Sequence, residues 1–123
     1  MSVHTRSQKL AQAAYAQIAI HTRNGQRKPD KEFVSTVKKF PSLIHTCGLA
    51  QAVAFALAKK DEEYLGYLAA VLKAVGHVEI THPNTLDQQA RTSQLSEYLR
   101  LSRDAINAAS WLKRYVEAAG EEE

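Results

Sequence analysis

The chain has 123 residues, 45% hydrophobic and 24% charged, which is long enough for one compact core and too apolar for a disordered segment. Its single cysteine, Cys47, excludes an intrachain disulfide framework, and no run approaches the ~18 apolar residues of a membrane span. The net charge of +3 conceals a polarity: residues 1–60 carry ten Lys/Arg and two acids (+8), whereas residues 61–123 carry six Lys/Arg and eleven acids (−5). Such polarity points to a polyanionic partner if the basic half folds onto one surface; otherwise it describes two unrelated solvated faces. The start, Met1-Ser2-Val3-His4-Thr5-Arg6, lacks the apolar centre of a secretory signal, so the expected setting is the cytoplasm, with no membrane partner.

Helical spacing dominates from end to end. Alanine contributes 19 residues, Pro29, Pro41 and Pro83 act as punctuation, and no stretch alternates with a strand's period of two. The expected fold class is all-α, a compact bundle of about five main helices forming a single domain over residues 1–123.

A first helix from about Ser2 to Arg23 is predicted by Val3, Leu10, Ala14 and Ile18, with Ala11 and Tyr15 widening the stripe. Arg6, Lys9 and Arg23 fall within about a 100° arc beside it. Asn24-Gly25 stops this helix, and Gln26-Arg27-Lys28-Pro29 forms a basic connector. Asp30 serves as N-cap of a second helix with Phe33, Val34, Val37 and Phe40 apolar and Lys31, Lys38 and Lys39 polar. Pro41 is expected to interrupt or restart that helix, leaving residues 42–45 as a short turn.

Gly48 ends or kinks the chain before a small-residue helix over Leu49–Lys60, carried by Leu49, Ala52, Val53, Ala56 and Leu57. Asp61-Glu62-Glu63 make an acidic first turn, favourable against the helix dipole, ahead of a stripe of Leu65, Leu68, Leu72 and Val75 that stops near Gly76. Residues 79–92 read as the longest irregular stretch. The last helix is predicted from about Thr92 to Ala119, with Leu95, Leu99, Ile106, Ala109, Leu112 and Val116 on one face and Tyr98, Leu101, Ala105, Trp111 and Tyr115 on its flank. The first and last helices are expected to lie lengthwise around the Leu49–Lys60 helix, and residues 119–123 to form an acidic, disordered tail.

Three chemical readings are open. His77, Glu79 and His82 supply zinc-ligand types, but the histidines lie five apart, off the i, i+4 register, and no cysteine follows Cys47 to complete a deaminase-like set. Cys47 with His45 or His21 would make a nucleophile pair, against which a small buried cysteine beside Gly48 is the simpler reading. No glycine-rich phosphate loop exists, so the expectation is no enzyme, no cofactor and no metal site. The basic residues are the better lead: Lys31, Lys38 and Lys39 project from one helix, Arg27-Lys28 lead into it, and Lys59-Lys60 end the next, the kind of rigid cationic surface that backbone phosphates favour. Helix-dipole complementation accounts for Lys59-Lys60 equally well, and a solvated face with aliphatic stems for Lys38-Lys39. Tyr64, Tyr67, Tyr98, Trp111 and Tyr115 cannot all face one small core, and any aromatic left outside points to a protein contact; for Trp111 a second core layer is the competing reading.

Several stretches carry a family resemblance: Gln8-Lys9-Leu10-Ala11 with Ala14-Tyr15; Lys38-Lys39-Phe40-Pro41 with Leu43-Ile44; Gly48-Leu49-Ala50-Gln51-Ala52 with Ala54-Phe55; Tyr98-Leu99-Arg100-Leu101; and Trp111-Leu112-Lys113-Arg114-Tyr115. Over about residues 8–118 the chain resembles the small all-helical subunit of the type III-B CRISPR RNA-guided effector, the Cmr complex. Cys47 stands where a polar residue is expected before Gly48-Leu49, and Tyr115 where Phe is commoner. The resemblance implies a non-catalytic ribonucleoprotein subunit in antiviral defence, stacked head to tail in a minor filament beside the backbone subunits that carry the crRNA. It also implies a large palm-domain subunit among its partners, and support of the crRNA–target RNA duplex. The residues expected at phosphates are Lys38 and Lys39, then Arg27, Lys28 and Lys31, then Lys9 and Arg23; Lys113 and Arg114 are expected at a subunit contact. The alternatives are a stand-alone helical adaptor, the small subunit of a type III-A effector and, third, an enzyme on His77, Glu79 and His82.

Overall fold

Six α-helices make up the computed structural model, which describes residues 3–120: α1 (Arg6–His21), α2 (Lys31–Cys47), α3 (Leu49–Ala58), α4 (Glu62–Ala74), α5 (Pro83–Thr92) and α6 (Leu95–Ala119). No strand occurs among the described residues, so the class is all-α, with one helix more than expected.

The additional helix is α5, inside the stretch read as irregular. Pro83 opens it at the first turn, where a missing N–H is harmless, and Thr85 Oγ1 accepts the His82 N–H at 3.0 Å. Leu86 and Ala90, one turn apart, are its only buried residues, which is why its apolar stripe is faint. The last helix therefore begins at Leu95 and not at Thr92. Its end reaches Ala119, with Gly120 as C-cap, so residue 119 is helical; residues 121–123 of the expected tail lie outside the described residues.

Other boundaries shift for identifiable reasons. Thr5 and Gln8 form a reciprocal capping box, Thr5 Oγ1 accepting the Gln8 N–H and Gln8 Oε1 accepting the Thr5 N–H, so α1 starts at Arg6 and Val3 stays exposed. At the other end Arg23 and Asn24 both take positive φ, so Arg23 lies beyond the helix and shares no helical arc with Arg6 and Lys9. Pro41 does not interrupt α2. Phe40 and Ile44 are buried on either side of it, below Val37, and this packing holds the helix although the Val37 carbonyl loses its usual N–H partner.

α6 is the axis of the molecule, packing on α1, α2 and α4; α1 also packs on α4, while α3 packs on α2, α4 and α5. The small-residue helix α3 is thus not what the first and last helices enclose; α4 touches both of them. α1 and α6 run side by side in the same direction, since Arg6 meets Asp104 near one end and Tyr15 meets Tyr115 further along. The buried face of α6 is Leu101, Ala105, Ala108, Ala109, Leu112 and Val116, while Leu95 and Leu99 are exposed. Alanines on this face admit three neighbouring helices at close range, and that close approach sets the rotation of α6. The core is one continuous cluster in which Leu65, Leu68 and Leu72 are fully enclosed, each contributing roughly 2 kcal/mol by burial.

Candidate nucleic-acid interface

Lys31, Lys38 and Lys39 are all exposed on α2. At roughly 100° per residue Lys31 and Lys38 share one edge of the helix and Lys39 lies about 80° round from Lys31. Packing of α3 on α2 brings further cations alongside. Lys39 and Lys59 border a small hollow with Phe55, and Lys31 and Lys60 border an adjoining one of ≈ 560 Å³; Thr36 and Asp61 line both. The Lys59 ammonium lies 5.3 Å from the centroid of the half-exposed Phe55 ring, a cation–π contact at i, i+4 spacing. The larger hollow also carries Asp30, Glu32, Asp61 and Glu63, so its field is mixed, and the cationic end of this surface is the one around Lys39 and Lys59.

The remaining basic candidates lie elsewhere. Arg27 is half-buried, with Nη2 3.3 Å from His21 Nδ1, inside a polar cluster under the connector. His21 itself is buried, stacks on Phe33 at 3.9 Å between centroids, and has Nδ1 3.2 Å from Glu63 Oε2. Tyr67 Oη donates to the same Glu63 oxygen at 3.0 Å; burial first, and then the Glu63 carboxylate, push its pKa up to about 12. The exposed Lys28 holds Nζ 3.9 Å from where a Cβ on Gly120 would lie, so its ammonium faces the C-terminal end of the α6 dipole. Lys9 is exposed near the start of α1, roughly 18 Å from the His21 end, and Arg23 is exposed in the turn after it. On α6, Lys113 is half-buried and Arg114 exposed.

A second polar centre was not legible as such. Asp104 is buried, accepting from Arg6 Nε at 3.1 Å and Nη2 at 2.5 Å and from His77 Nε2 at 2.7 Å. Burial alone would raise its pKa, but the hydrogen bonds and charges of Arg6 and His77 outweigh that and hold it below the usual carboxylate range. The cluster ties the start of α1 and the α4–α5 loop to α6. Its only sequence signal was an aspartate at the spacing of the apolar stripe, between Leu101 and Ala105. The three zinc-type side chains take separate paths: His77 to Asp104, Glu79 to Gln89 Nε2 at 3.1 Å, and His82 exposed. No group of three or more His, Cys, Asp or Glu among the described residues is placed to hold a metal ion. Cys47 is exposed at the end of α2, not buried, because the residues that turn this part of the helix to the core are Phe40 and Ile44.

Stretches distant in the sequence meet in space. Tyr98 Oη accepts the Ala50 N–H, and the Tyr15 ring abuts Tyr115 edge to face at 5.4 Å, so four of the five stretches that carried the resemblance pair off across the core. Residues 6–119, all six helices, match the family described as CRISPR-associated protein (Cas_Cmr5). The chain belongs to the Cmr5 family. It is 32% identical over 120 residues to the CRISPR system Cmr subunit Cmr5 of Thermus thermophilus, covering 98% of this chain and all of that one. The crystal structure of a CRISPR-associated Cmr5 family protein from the same organism superposes with a TM-score of 0.79 at 32% identity, over 94% of this chain and 97% of the other. The Cmr5 match places the chain in the type III-B Cmr system and sets aside the type III-A reading. No helix among the described residues is long and apolar enough to cross a membrane.

Proposed function

We propose that this chain is a non-catalytic small subunit of a cytoplasmic type III-B Cmr effector, stacking head to tail beside the crRNA-carrying subunits and supporting the crRNA–target RNA duplex. The observation that carries the reading is the Cmr5 family match over residues 6–119, which spans all six described helices. Charge supports it. The +8 half presents exposed lysines on α2 and directly after α3.

Lys38 and Lys39 are the first phosphate contacts in this reading, with Lys31 beside them and Lys59 across the Phe55 hollow. Arg27 and Lys28 act mainly on the fold, through His21 and the end of α6, while Lys9 and Arg23 stand on other parts of the surface. Lys113 and Arg114 serve a subunit contact, with the exposed Arg114 reaching a neighbour. Such contacts read the backbone and not the bases.

The test is RNA binding as a function of salt by the assembled complex. Lys38→Glu with Lys39→Glu should lower affinity and flatten the log–log salt slope by about two units, roughly one for each phosphate released. An unchanged affinity and slope would overturn the assignment.

A further inference from the structure

We propose that the seam between α1 and α6 is a stacking groove for a single-stranded RNA segment, distinct from the lysines of α2. The choice of RNA among polyanions rests on the function proposed above; the groove itself rests on the following geometry.

Tyr15 of α1 and Trp111 and Tyr115 of α6 form one aromatic cluster on the seam, Tyr115 stacked on Trp111 at 5.7 Å and 22° and abutting Tyr15 at 5.4 Å and 79°. An aromatic cluster at a helix seam is ordinarily the rim of the core. Tyr15 departs from that pattern: 62% of its surface is exposed, although its ring touches Tyr115. Nor is the seam filled on either side of the cluster. Ser7, Leu10, Arg103, Asn107 and Trp111 line a hollow of ≈ 360 Å³ at one end, and Tyr15, Ala19, Thr22, Tyr115 and Ala118 line one of ≈ 330 Å³ at the other.

The charge of this surface selects the occupant. Asp104 is the one carboxylate among the described residues lining the two hollows, and Arg6 and His77 already engage it. The exposed Arg103 lies on the same side, with the Asn107 amide between it and Trp111. The larger hollow beside α2, by contrast, mixes Lys31 and Lys60 with four carboxylates. From Arg103 to Ala119 the groove runs roughly 24 Å, room for about four nucleotides, the lower end of the site sizes of stacking proteins. A base would stack on the exposed Tyr15 ring, beside the half-buried Trp111, with a phosphate at Arg103. Stacking tolerates any base, so the groove needs no base-edge readout.

Trp111 is the only tryptophan in the chain, and its fluorescence therefore reports this groove alone. The experiment titrates the full chain with a fluorophore-labelled ten-nucleotide single-stranded RNA at low salt, following both Trp111 emission and the anisotropy of the RNA. The result expected is saturable, salt-sensitive quenching of Trp111 that coincides with the anisotropy change. Tyr15→Ala should weaken binding at least fivefold. Arg103→Glu should weaken it about tenfold and flatten the salt slope by roughly 0.7. Tyr15 and Arg103 are exposed, so both variants should keep the wild-type circular dichroism. Anisotropy change without quenching, abolished only in the Lys38→Glu, Lys39→Glu variant, would overturn the groove and leave the proposed function standing. Trp111 emission that shifts with protein concentration and not with RNA would overturn it in favour of a protein contact. Absence of any RNA binding would overturn the groove as well.

Discussion

Tyr98 Oη on α6 accepts the backbone N–H of Ala50, the second residue of α3, at 3.1 Å. The bond replaces what the local sequence cannot provide. Gly48 is the N-cap of α3 and has no side chain, yet φ 85° and ψ 160° at this position suit glycine alone. A Cβ on Gly48 would stand 3.5 Å from Tyr98 Oη, so the sharp turn, the missing cap and the distant tyrosine form one device.

Tyr98→Phe should therefore destabilise the protein by about 1 kcal/mol, or roughly 4 °C in Tm, by stranding one α3 N–H. Gly48→Ala should cost more, about 2 kcal/mol, because the backbone conformation itself is strained for any L side chain. Thermal unfolding followed by circular dichroism measures both; equal Tm values for wild type and Tyr98→Phe would show that water caps α3 equally well.

Asp104 predicts a pH dependence. Its pKa is lowered in the folded protein, so the stability it contributes is fully present above the unfolded carboxylate value, ~3.9, and is lost as pH falls through the lower folded value. Urea unfolding from neutral pH down to about pH 3 should show falling stability for wild type and a flatter curve for Asp104→Asn, which at neutral pH should be less stable by about 2 kcal/mol. Parallel curves would remove the Arg6–Asp104–His77 cluster from the account.

Tyr64 is fully buried beside Phe40, and its hydroxyl has no hydrogen-bond partner among the described residues. Burial pushes its pKa far up. Removing an unsatisfied buried hydroxyl while keeping the ring relieves a desolvation cost, so Tyr64→Phe should raise stability by about 1 kcal/mol. Comparison of urea midpoints decides it; a lower midpoint would mean that the hydroxyl holds a buried water.

Legibility followed side-chain size and periodicity. The large apolar residues of α2 and α4, Phe33, Val37, Phe40, Leu65, Leu68 and Leu72, announced both helices and their buried faces. On α6 the period was legible and the rotation was not, because Leu95 and Leu99 outweigh alanines in any hydropathy reading although it is the alanines that admit the neighbouring helices. Pro41 and Pro83 look alike as letters; the first is carried through a helix by the packing around it and the second begins one. Of the basic residues, Lys39 and Lys59 meet only because α3 folds back on α2, and Phe55-to-Lys59 at i, i+4 was the one local sign of it. Asp104 needed the fold, since its partners lie 98 and 27 residues away.

Cys47 separates the structure from the simpler sequence reading. Exposed at the end of α2, it should react with an aromatic disulfide reagent in the native protein as fast as in the unfolded chain, within a few fold. Reaction seen only after denaturant is added would return Cys47 to the interior.

The central claim is membership of a working Cmr ribonucleoprotein, and purification of the tagged chain from its native host tests it most directly. The co-purified proteins would be identified by mass spectrometry and the RNA by sequencing. The account predicts recovery of repeat-derived guide RNA together with the other Cmr subunits, in amounts that survive washing at physiological salt. Recovery of the chain alone, or with proteins and no guide RNA, would contradict it and leave a protein-binding helical adaptor that shares the Cmr5 fold.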